Sequence, residues 1–228
     1  MNSTARVTGA AYLGLAVVGA LGFLVVRPLL FAPDDPAATL ANLEASPSLL
    51  QLGIALELLV VITQAVAAVG FFALFLPQRP GAGFAVASFG MANAVVILGS
   101  AGLLAAALPV SRDGSLAPAG DTAATVQLLF TLSAIAWKVG GVFFGLWLIP
   151  MGWFAIRTGR FPRALGILLV VGGEGYVASA LLGVALPAMP SGILDAIVLP
   201  ATAGELWMVG YLLVRGIRPV RATELATA

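Results

Sequence analysis

The chain has 228 residues, of which 61% are hydrophobic and 9% charged, with a formal net charge of +1. A soluble domain carries roughly 45–50% and about 25%, so this chain cannot cover a globule with polar surface and its solvent must be lipid. Cys and His are both absent, which excludes disulfides, thiolate nucleophiles, Cys/His zinc sites, His-ligated haem and Ser-His-Asp triads. No cofactor and no metal site are expected. An enzyme would need a carboxylate pair or a carboxylate-held metal, and no motif for either is present. The small net charge offers no basic surface for nucleic acid.

The first apolar run, Val7 to Val26, follows Arg6 and exceeds the 7–15 residues of a signal-peptide core, so it reads as a retained span over about 7–31. Ala32 to Ser48 carries three acids and three prolines and reads as a loop with room for a short interfacial helix. The second span covers about 49–76 and stops at the breaker run Pro77-Gln78-Arg79-Pro80-Gly81. The third covers about 83–108, followed by a polar loop, Ser111 to Asp121.

From Thr122 to Arg157 the chain is helix-compatible throughout, about 50 Å of helix against a hydrocarbon core of about 30 Å. It reads as a span over 136–156, kinked at Pro150, with a helical lead-in over 123–135. The fifth span covers about 164–187, the sixth about 193–214, and the tail from Arg215 is polar.

Eight arginines (6, 79, 157, 160, 163, 215, 218 and 221) fall on one side of these spans. On the other, Arg112 stands alone among five acids. The positive-inside rule puts both termini in the cytoplasm, which requires an even number of spans. The expected fold is an all-α membrane protein, a single domain forming a bundle of six transmembrane helices. Ten Arg to one Lys, with abundant Ala and Gly, suggests a GC-rich bacterial genome, and hence a multi-pass protein of a bacterial inner membrane.

Several short stretches have a familiar look: Ser3-Thr4-Ala5-Arg6 with Gly9, Leu52-Gly53-Ile54-Ala55, Phe143-Phe144-Gly145-Leu146, Arg157-Thr158-Gly159-Arg160-Phe161-Pro162-Arg163, Gly175-Tyr176 and Gly204-Glu205-Leu206. On these the chain resembles the bacterial DUF4386 proteins nearly end to end. The resemblance implies a multi-span membrane protein of no assigned activity. It also implies polar or ionisable residues where this chain has Gly90, Trp147 and Ser179, a departure from the family pattern.

Ionisable residues inside spans are costly and are functional candidates by default. Counting at about 1.5 Å per residue from the arginine markers places Arg27, Glu57, Lys138 and Asp195 in one outer layer whose charges sum to zero. They read either as two ion pairs pinning helix ends or as the gate of a vestibule for a charged solute. Glu174 lies 11 residues beyond Arg163 and Glu205 lies 10 before Arg215, about 16 and 15 Å in, close to the midplane. Asn93 and Trp147 fall at the same level. With no basic residue at that depth, the two carboxylates would be neutral acids or would recruit a cation. The Gly172-Gly173-Glu174-Gly175 run and Pro200 suggest close packing or interrupted helices around them. Trp137 and Trp153 fit an interfacial belt, whereas Trp147 and Trp207 read as core. Gly9, Gly14 and Gly19 mark a packing face compatible with a homo-oligomer.

Two functional readings follow. One is small-solute binding or proton- or cation-linked transport, with Glu174, Glu205, Asn93 and Trp147 as the binding site and the outer layer as gate. The other is a non-catalytic interaction or regulatory subunit whose buried acids fix packing. The lipid bilayer is a partner under both.

Overall fold

The computed structural model describes residues 2–218; Arg221 and most of the polar tail lie outside the described residues. The protein is all-α, and six helices are long and apolar enough to cross a membrane: Ser3–Leu30, Pro47–Phe75, Pro80–Arg112, Thr122–Thr158, Arg163–Ala185 and Ser191–Val214.

The first span is composite: α1 (Asn2–Ala20), a π-helical segment (Leu21–Val26) and α2 (Arg27–Leu30). A short α3 (Pro36–Ala45) follows, then α4 (Pro47–Phe75) and α5 (Pro80–Arg112). Asp35 Oδ1 accepts from the Ala38 N–H at 2.9 Å, and Pro36 fills the first helical position, where no N–H is needed. The same logic starts α5 at Pro80 rather than near Gly83. Two 3₁₀ turns lead to α6 (Thr122–Thr158), capped by Asp121 accepting from the Ala124 N–H at 2.9 Å. α6 is one helix of 37 residues with Pro150 inside it; the lead-in and the span are continuous. α7 (Arg163–Ala185), α8 (Ser191–Ala196) and α9 (Leu199–Val214) complete the chain. The sixth span is therefore broken after Ala196, and Pro200 starts α9 instead of kinking a helix already under way.

The chain divides into two compact units. The first takes residues 1–13, 65–92 and 141–228, and the second 14–64 and 93–140. The first unit packs on aromatic rings: Phe75 stacks on Phe154 at 3.8 Å between centroids, with Phe161 edge-on to both. Its α6 and α7 meet through glycines at seven-residue spacing, Gly145 and Gly152 against Gly173 and Gly166. A Cβ at any of the four would strike the other helix. Gly172 lies against the Ala201 backbone and Gly175 against the Ile197 carbonyl, so this glycine run serves close packing and stays helical. Arg160, in the α6–α7 turn, is buried and donates to the Arg218 carbonyl (2.6 Å) and Gln78 (3.3 Å).

The second unit has a mainly aliphatic core, with Val26, Leu30, Leu50, Leu104 and Val126 packed around Phe130. Gly9 packs against Leu212 in the first unit, and Gly14 and Gly19 pack against Thr63 and Val60 in the second. The glycine face of α1 is thus occupied within the chain, and a homo-oligomer has to be argued from other surfaces.

Candidate functional site

In the first unit, α9 presents Glu205 half-buried toward α1, where the Tyr12 hydroxyl donates to its Oε1 at 2.6 Å. Tyr12 is fully buried, edge-on to Phe71 at 5.7 Å and beside Trp147 at 5.6 Å. Among the described residues no basic side chain forms an ion pair with Glu205. Trp147 is completely buried, and its indole N–H has no hydrogen-bond partner among the described residues. A Cβ at Gly90 would lie 2.8 Å from the Trp147 ring and 2.9 Å from Ala68. The indole occupies the space that a side chain at position 90 would fill.

The structure does not join Glu174 to Glu205. Gly172 and Gly173 turn inward to α9 and α6, which rotates Glu174 to the opposite, exposed face of α7 beside Ile167, Val171 and Leu181. The helical period of 3.6 forces this, since adjacent residues point about 100° apart. Asn93 belongs to the second unit, where its amide donates to the Gln64 oxygen at 2.8 Å. Trp207 is exposed on α9 rather than packed in the core. Trp153 is flanked by the Arg79 and Arg157 guanidiniums at 5.6 and 5.8 Å.

Part of the expected outer layer is built in the second unit. Arg27 Nη2 donates to Glu57 Oε1 at 2.9 Å and to the Ser133 hydroxyl at 2.8 Å. Trp137 Nε1 donates to the same carboxylate oxygen at 2.9 Å, and Ser133 is bonded to Ser100 at 2.7 Å. Four helical segments are tied together by this network, and nothing in the sequence marks Ser100, Ser133 or Trp137 as its members. A cavity of about 10 Å³ lies between Arg27 and Glu57, the size of one water molecule. Buried Arg27 Nη1 and Glu57 Oε2 have no other partner among the described residues. Lys138 is exposed and lines a groove of about 330 Å³ with Arg27. Asp195 is exposed on α8, in the first unit, and makes no ion pair among the described residues.

The family model described as a domain of unknown function, DUF4386, matches residues 7–216. The chain belongs to the DUF4386 family. No curated protein and no solved structure matches it. The six spans make this DUF4386 member a multi-pass membrane protein, and the family description leaves its activity to be argued from its own residues.

Proposed function

We propose that the protein binds a small solute in a proton- or cation-linked manner, with Glu205 as the linked group and Tyr12 as the residue that orients it. A bacterial inner membrane with cytoplasmic termini is the setting that the arginine distribution favours. The observation that carries the reading is a carboxylate inside the sixth span whose one side-chain hydrogen bond among the described residues comes from a neutral phenol. Such a group favours gaining a proton or a cation over standing alone in low dielectric, and bound cargo can compete for or require that same charge state. Trp147 supplies an N–H without a partner among the described residues in the same unit, and Asn93 and Gln64 form a polar pair in the other.

Glu205→Gln tests the reading, because the amide oxygen still accepts from Tyr12 while the proton equilibrium is lost. The purified protein should be stabilised against heat by a solute or a monovalent cation in a way that changes between pH 5 and 8. That pH response should vanish in Glu205→Gln. An identical response in both proteins removes Glu205 from the function.

The second reading, a membrane interaction subunit, is supported by Glu174. A carboxylate exposed on an apolar face, halfway along a 23-residue span, costs about 2.5–3.5 kcal/mol in lipid on insertion scales. A partner helix carrying a basic or amide side chain at that depth would offset this. Affinity-purified wild type would carry a stoichiometric membrane partner that Glu174→Leu loses; the same composition in both would count against it.

A further inference from the structure

The π-helical segment Leu21–Val26 closes with the Arg27 N–H bonded to the Gly22 carbonyl, five residues back. One extra residue is thus accommodated in that turn, and such segments are frequent at functional sites. Phe23 and Arg27, four residues apart, both reach the same groove, with the guanidinium 5.6 Å over the Phe23 ring. Phe31, Pro33, Thr131, Ala134, Ile135 and Lys138 form the rest of its wall.

The walls are held in place. Phe23 leans on Trp137 at 5.4 Å, Phe31 stacks on Phe130 at 5.7 Å, and Arg27 is fixed by Glu57 and Ser133. The adjoining Ala32 and Pro33 carbonyls are engaged by the Gln127 amide at 3.0 and 2.6 Å. The groove is therefore a formed surface between the end of the first span and the middle of α6. Its volume, about 330 Å³, is at the lower end for small-molecule sites.

Charge decides what fits. Among the described residues no acidic side chain lines the groove. The Arg27 charge is balanced by Glu57 at 2.9 Å, which leaves the Lys138 ammonium as the uncompensated charge in the lining. The remaining lining is aromatic and aliphatic apart from the Thr131 hydroxyl. We infer that this groove binds a small amphiphile with one anionic head, seated at Lys138 and Thr131, and an apolar body lying against Phe23, Phe31 and Ile135. The head can belong to a free amphipathic acid or to an anionic lipid. The inference does not rest on Glu205, which lies in the other unit.

The test uses the full-length protein in a nonionic detergent, titrated with 11-bromoundecanoate while its tryptophan fluorescence is followed. Bromine quenches by contact, and Trp137 packs on Phe23 at the groove wall. The acid should quench saturably, and the matched 11-bromoundecanol should only show the shallow, unsaturable quenching of a micelle-dissolved solute. Lys138→Gln, an exposed position, should weaken the saturable phase about tenfold, the loss of one charge-assisted hydrogen bond. Lys138→Arg should retain it, and Ala134→Phe should abolish it by filling the groove. Equal quenching by acid and alcohol, or an unchanged acid titration in Lys138→Gln and Ala134→Phe, would overturn the inference. In nanodiscs, competition by phosphatidylglycerol but not phosphatidylcholine assigns the head to a lipid. Saturable quenching without that competition assigns it to a free acid.

Discussion

Glu57 Oε1 receives both the Arg27 guanidinium and the Trp137 indole, inside a membrane-spanning region where neither charge has bulk water to fall back on. Pairing of this kind owes its value to what is left behind when one partner goes. Glu57→Leu strands the Arg27 charge and should lower stability by about 3–5 kcal/mol. Arg27→Met combined with Glu57→Leu removes both charges and should restore most of that loss. Denaturation of the detergent-solubilised variants reads the difference, and equal damage in the single and double variants would mean that the pair is not what stabilises this region. Asp121 acts on a smaller scale. Its carboxylate caps α6, and Asp121→Ala should cost about 1 kcal/mol of stability, a common value for an N-cap aspartate, read as a lower melting temperature.

At the scale of the elements, close helix contact is concentrated where α6 meets α7. Gly145 and Gly152 face Gly173 and Gly166, and without side chains between them the backbones approach to van der Waals distance, the device that replaces hydrophobic driving force in lipid. Gly173→Leu would push its side chain into the Gly145 carbonyl and Ile149, and overpacking of this kind costs about 1–3 kcal/mol or more. Gly99→Leu on α5, where nothing lies within 4 Å, is the matched control and should unfold like the parent. The existence of the six spans was legible because hydropathy alone marks them. Their facing was not. These helices are apolar nearly all round, so no polar stripe says which side turns inward. That is why sequence alone pairs Glu174, halfway along α7, with Glu205, whereas its side chain lies on the exposed face of that helix. Trp207 was misplaced for the same reason. Tyr12 escaped notice as a partner of Glu205 because 193 residues separate them and a tyrosine in an apolar run carries no signal of its own. The loop acids were read for their charge, whereas Asp35, Asp113 and Asp121 all accept backbone hydrogen bonds at helix or turn starts.

For the whole molecule, the proposed cytoplasmic placement of both termini rests on the arginines. Arg79 precedes α5, Arg157 ends α6, Arg163 opens α7 and Arg215 follows α9. Arg160 departs from the set by being buried and bonded to Gln78 and Arg218, so its contribution is partly structural and the topological weight falls on the others. Because the chain has no cysteine, single introduced thiols can report each side without background. Asp34→Cys lies in the exposed turn after the first span, and Gly81→Cys in open space at the start of α5. In intact cells a membrane-impermeant maleimide should label Asp34→Cys and leave Gly81→Cys untouched until the membrane is permeabilised. The reverse pattern would invert the protein. Labelling of both in intact cells would mean that the second span does not cross, and the even count required by two cytoplasmic termini would fail with it.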